Sequence, residues 1–157
     1  MNYLKLSEHG SYWMFSIEDL EVEAGDQERI RPLCEPDAIE FWSKYISKKN
    51  RHPMVLDDDD WLRAKGVLKA IGNWQDQWNS DDAEIPQDLE ANVCWDHRDV
   101  VYFAYDKSVV IETTWAVFKR NWKNFLFDDE GPFLICPARS EIVAFAPSGL
   151  MEIAKMR

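Results

Sequence analysis

Histidine and cysteine are scarce, three of each in 157 residues, and glycine occurs six times. Basic residues are outnumbered, 18 against 29 acids, for a formal charge of −11. Cys34, Cys94 and Cys136 are odd in number and widely spaced, so they make no disulfide framework and suit a reducing compartment. The glycines form neither a P-loop nor a G-x-G-x-x-G turn, which excludes the common nucleotide-phosphate cradles. No apolar run approaches the roughly 18 residues that span a bilayer. The segment Met1–Gly10 has no basic stretch leading into an apolar one, so no signal peptide is expected. The acidic excess disfavours nucleic acid and anionic membranes as partners. The expected location is cytoplasmic.

The chain is rich in rings, with eight Trp and eight Phe. Each buries roughly 150–250 Å² when packed, so a large dry core is available. A single domain over residues 1–157 is expected, since a chain of this length hides about 70% of its unfolded surface.

Residues 99–146 read as hairpin, aromatic helix, hairpin. Val100–Tyr105 and Val109–Glu112 flank a turn at Asp106-Lys107-Ser108. Thr113 or Thr114 can cap the helix that follows. Trp115, Phe118, Trp122 and Phe125 then form one stripe at i, i+3, i+7 and i+10, with Lys119, Arg120 and Lys123 outward. Asp128-Asp129-Glu130-Gly131 is the expected stop, and Pro132–Cys136 with Glu141–Ala146 a second hairpin.

Upstream, Asn2–Leu6 and Ser11–Ser16 suggest an opening hairpin around Gly10, and the acid-rich Glu18–Glu28 a solvated connection. Pro36 starts a helix that buries Ile39, Trp42, Tyr45 and Ile46. Asp57–Asp60 reads as an acidic cap on a second helix, with Val67, Ile71, Trp74 and Trp78 at helical spacing. Gly66 and Gly72 weaken that helix by about 1 kcal/mol each. Asn79–Glu90 reads as a long, mobile loop, and Leu150–Arg157 as a short helix or an edge strand. The predicted class is α+β, an antiparallel sheet of hairpins with about three helices packed on one face.

Catalytic and metal signatures are thin. Cys94 and His97 lie three apart without the second pair that a structural zinc site wants, and within one segment they make a poor thiolate–imidazole pair. Asp57–Asp60 and Asp128–Glu130 lack the alternation of a calcium loop. Ser148-Gly149 lacks the glycine that a nucleophile elbow places two residues before its serine. No metal, cofactor or catalytic residue is assigned.

The stretch Val100–Ala146 is similar to a proteobacterial family of small proteins of unknown function. The likeness rests on Tyr102-Phe103-Ala104-Tyr105, Glu112-Thr113-Thr114-Trp115, Asn121–Phe127 and Asp128-Asp129-Glu130-Gly131. That family has no assigned activity, so the resemblance implies no site. In size, charge and aromatic content the chain also resembles small acidic immunity proteins of bacterial toxin systems, which implies a protein partner but no particular residues.

The leading expectation is therefore a non-enzymatic module that docks a basic protein surface. Asp57, Asp58, Asp59, Asp60, Asp81, Asp82, Glu84, Asp128, Asp129 and Glu130 would supply the charge, with Trp61 or Trp78 as anchor. The alternative is a small-ligand binder or enzyme with a pocket walled by Trp61, Trp74, Trp78 and Trp95, near Asp96 and His97. A homodimer through an edge strand or a Trp-rich face is a third reading.

Overall fold

Phe103 fixes the register of the sheet. In the computed structural model, which describes residues 1–156, it pairs with Ile111 on one side and Leu134 on the other. Leu134 pairs with Val143, and Val143 with Ile153. Those partners point to one face of the sheet, while Ala104, Val110, Ile135, Ile142 and Ala154 point to the other.

Seven strands make this sheet: β1 (Arg31–Pro32), β2 (Lys69–Asn73), β3 (Val100–Asp106), β4 (Val109–Thr114), β5 (Phe133–Cys136), β6 (Glu141–Phe145) and β7 (Leu150–Lys155). Their order is β1-β4-β3-β5-β6-β7-β2, and every neighbouring pair is antiparallel. Every residue of β5 and β6 is buried. An antiparallel sheet usually wets one face; here both faces are covered, which is why these strands read as unbroken apolar runs.

The helices are α1 (Ala24–Gln27), α2 (Glu35–Tyr45), α3 (Gln75–Trp78), α4 (Gln87–Asn92) and α5 (Trp115–Phe125). The α+β class holds, with five helices rather than about three, and on both faces rather than one. On one face, α5 packs Trp115, Phe118, Trp122 and Phe125, all at most 2% exposed, against Phe103 and Phe145. Thr114 caps α5, its Oγ1 accepting from the Val117 amide at 3.3 Å. On the other face, α2 buries Ala38, Phe41 and Trp42 with Leu33 and Ile135. Among the described residues no helix is long and apolar enough to cross a membrane.

Several expectations need correction. The opening segment is no hairpin: Leu6–Glu8 and Tyr12–Phe15 are 3-10 turns, and Tyr3 makes an isolated bridge to Leu33. His9 Nδ1 bonds the Ser11 amide at 3.1 Å, a local contact that competes with a strand ladder. Residues 61–78 are not one helix. A 3-10 turn at Trp61–Arg63 ends on extended Ala64, Gly66 takes φ +80°, and β2 follows before α3. Val67 packs with the α2 core and Ile71 with the α5 core, so residues four apart lie on opposite sheet faces.

The 79–90 loop ends in α4 and is stapled to α5. Trp122 Nε1 donates to the Ala83 carbonyl at 3.0 Å, and Lys123 Nζ to the Ser80 carbonyl at 2.7 Å. α5 stops at Phe125, well before Gly131, although Gly131 does adopt φ +87°. The C-terminal segment is strand β7, flanked by β6 and β2 rather than at the edge; Arg157 lies outside the described residues. The connection at Glu18–Glu28 is not wholly solvated, since it contains α1 and the buried Asp26.

Candidate functional site

The acidic run Asp57–Asp60 is folded onto its own loop. Lys49 Nζ donates to Asp57 at 2.8 Å and to Asp59 at 3.0 Å. Asn50 Nδ2 and the Asp57 amide both donate to Asp60 Oδ2, at 2.6 and 3.0 Å. Hydrogen bonding from Lys49 holds the Asp57 carboxyl below its usual range. Burial works to raise Asp60, but bonds from Ser47, Asn50 and the Asp57 amide together keep it low. Asp60 makes no side-chain cap bond to the turn after it; its role is to close the loop. Asp58 is exposed.

His52, from the same loop, reaches Glu130 at 3.2 Å and so draws the second acidic run toward the first. Asp81, Asp82 and Glu84 lie on the segment stapled to α5. There Asp82 accepts from Gln77 Nε2 at 3.2 Å and from the Glu84 amide at 2.9 Å. Among the described residues no three His, Cys, Asp or Glu side chains group as metal ligands would.

The predicted tryptophans also separate. Trp74 is fully buried and donates to the Ala146 carbonyl at 3.0 Å. Trp95 stands edge-on to Trp115 at 4.9 Å and donates to Glu141 at 2.8 Å. Trp78 is half-buried, donates to the Lys123 carbonyl at 3.0 Å and meets Phe127 edge-on at 5.0 Å. These three belong to the α5 side, whereas Trp61 packs with the α2 core. Asp96 and His97 are exposed, and Asp96 Oδ1 accepts from the Arg98 amide at 3.0 Å. The four indoles do not form one box.

Sequence reasoning missed Trp13. It is 56% exposed, the one tryptophan left mostly in solvent. Its ring meets Phe127 edge-on at 6.2 Å, and Phe127 in turn meets Trp78 edge-on at 5.0 Å. The three rings form a chain of contacts, Trp13–Phe127–Trp78. Beside it lies a hollow of about 350 Å³ whose rim includes Leu4, Glu35, Asp106 and Asp128. Asp128 is pushed above the usual carboxylate range, first by burial and then by the charges of Glu130 and Asp106, against the opposing pull of a backbone bond and of His52. Asp128 and the exposed indole of Trp13 line the same hollow. No periodic signal marks Trp13, because a four-residue 3-10 turn is too short to display one.

The basic side of α5 is not free for a polyanion. Lys119 pairs with Glu90 at 3.1 Å, and Arg120 grips Asp26 through two bonds.

No curated protein and no solved structure matches this chain. A family does match, over residues 3–154, and its description is "Protein of unknown function (DUF2947)". With nearly its whole length covered, the chain belongs to the DUF2947 family.

Proposed function

We propose that this chain is a non-enzymatic protein-binding module that docks a basic surface through the exposed Trp13. The observation that carries the reading is the exposure of Trp13 among otherwise half-buried or buried indoles. Tryptophans dominate interface energetics because they bury much apolar area with little side-chain entropy to lose. The carboxylates of Glu35, Asp106 and Asp128 surround that anchor, and the net charge of −11 adds long-range steering of a cationic partner. Immunity toward a basic toxin is one form of this function.

The test is capture from native lysate at low and high salt, with the wild-type chain and Trp13→Ala side by side. A partner held at low salt, released at high salt and weakened about 30-fold by the substitution supports the reading. Capture that ignores both salt and Trp13, or no capture at all, ends it. Sedimentation of the chain alone separates a hetero-partner from a second copy.

A further inference from the structure

One cleft, of about 1050 Å³, lies far in composition from the acidic exterior. Lys44, Lys65, Lys69 and Lys155 line it, and Glu141 is its one acid. The chain as a whole carries 29 acids to 18 bases, so a lining of four bases to one acid reverses the overall balance. Glu141 is already engaged, by Trp95 at 2.8 Å and by Lys155 at 3.3 Å. Lys44, Lys65 and Lys69 have no carboxylate within ion-pair distance among the described residues. Lysines do protect exposed sheet edges from pairing, and Lys69 on edge strand β2 fits that role. Lys44 sits in the last turn of α2 and Lys65 in the turn before β2, so edge protection does not account for them.

The aromatic part of the wall is Trp61 and Tyr45. Trp61 spends its N–H on the Tyr45 carbonyl at 3.0 Å, which fixes the indole and leaves its ring for contact. Lys44 Nζ stands 5.0 Å from the centre of the Tyr45 ring. An aromatic wall of Trp61 and Tyr45 within a cleft lined by lysines suits a flat group bearing clustered negative charge. The cleft is of the size that takes a drug-sized or nucleotide-sized molecule. A polymeric anion is disfavoured, because its flanks would run over a surface of net negative charge within a Debye length of about 8 Å.

We infer that this cleft binds a small polyanion that carries a flat ring, through Lys44, Lys65, Lys69 and Lys155 with Trp61 as the stacking wall. Phosphate and carboxylate versions share that chemistry. The site has no residue in common with the Trp13 hollow, so it stands or falls independently of the proposed docking function.

The test is calorimetric titration of the full chain in metal-free buffer with four probes: ATP, benzene-1,3,5-tricarboxylate, inorganic triphosphate and adenosine. ATP or the tricarboxylate is expected to bind, and which of them does so identifies the source of the charge. Triphosphate, lacking a ring, and adenosine, lacking charge, are expected to bind at least about tenfold more weakly. The paired substitution Lys65→Gln with Lys69→Gln is expected to weaken the bound polyanion about tenfold, as is raising salt from about 0.05 to about 0.5 M. Mass spectrometry adds a readout that needs no variant: the bound polyanion should shield Lys65 and Lys69 of the wild-type chain from acetylation. Failure of both polyanions to bind at about 10 mM overturns the inference. So does binding untouched by the lysine substitutions without shielding, or adenosine or triphosphate binding as tightly as the ring-bearing polyanion.

Discussion

Asp26 and Arg120, 94 residues apart in the chain, are joined at two points. The guanidinium Nε and one terminal nitrogen donate to separate carboxylate oxygens at 3.0 and 2.8 Å. Asn121 Nδ2 adds a third bond to Asp26 at 2.9 Å. The Asp26 side chain is 8% exposed and that of Arg120 is 52% exposed. The pair fastens α1, in the acidic N-terminal connection, to α5 at the turn where Asn121 departs from helical geometry.

Arg120→Ala should therefore leave a buried carboxylate without its ion-pair partner, held only by the neutral amide of Asn121. The expected cost is about 1–3 kcal/mol, read by urea unfolding at neutral pH. Hydrogen bonding from Arg120, more than the opposing burial, holds the Asp26 carboxyl below its ordinary range. The unfolded chain therefore takes up this proton first as acid is added. The stabilisation is complete above the unfolded value of about 3.9 and is lost as pH falls through the lower folded value. Asp26→Asn should accordingly destabilise at pH 7 and approach the wild type in strong acid.

Asp128 carries the opposite sign. Burial, then the nearby Glu130 and Asp106 charges, push its carboxyl up. The folded state now takes up the proton first, so ionised Asp128 works against folding at neutral pH. Asp128→Asn is expected to raise the melting temperature at pH 7, with the gain shrinking as the pH falls through the native carboxyl's raised value. The same substitution should weaken capture of a basic partner. A residue that costs stability while serving contact is a recognised compromise at functional positions.

Much of the fold was legible because its signals are local. The β3–β4 and β5–β6 hairpins and the cap and stripe of α5 each draw on about fifteen consecutive residues or fewer. The 61–78 segment was not, because four apolar residues at helical spacing are also consistent with a chain that crosses between two cores. Only Gly66, with its positive φ, and Gly72 opposed the helix. Asp26 hides within a run of acids because its cation lies 94 residues away. The lysine cleft gathers residues 44 to 155, so no window of sequence displays it. Trp13 differs from buried Met14 and Phe15 only in what covers it, which is a property of packing.

The three thiols should react in a defined order. Cys94 is exposed, Cys34 is partly covered and hydrogen-bonds Asp37 at 3.2 Å, and Cys136 is buried in β5. Burial lifts the Cys136 thiol to about 11, which leaves little thiolate near neutrality. With a disulfide reagent at about pH 8, Cys94 should react first. Cys136 should appear only after denaturation, and fast labelling of Cys136 in the folded chain would contradict its place in the sheet.

Gly72 tests the packing of edge strand β2 on α4. A Cβ at this position would stand 2.7 Å from Asp88 Cβ and 2.9 Å from Cγ, and it would also collide with Oδ2. The collision lies at the root of the Asp88 side chain, so rotating its carboxylate does not relieve it. Gly72→Ala is expected to cost about 1–3 kcal/mol. Asp88→Gly removes the obstacle at a helix-propensity cost of only about 0.3 kcal/mol. The double variant should then be more stable than the sum of the two single effects by about 1 kcal/mol or more. Simple additivity in urea unfolding would show that the strand and helix stand further apart than this packing requires.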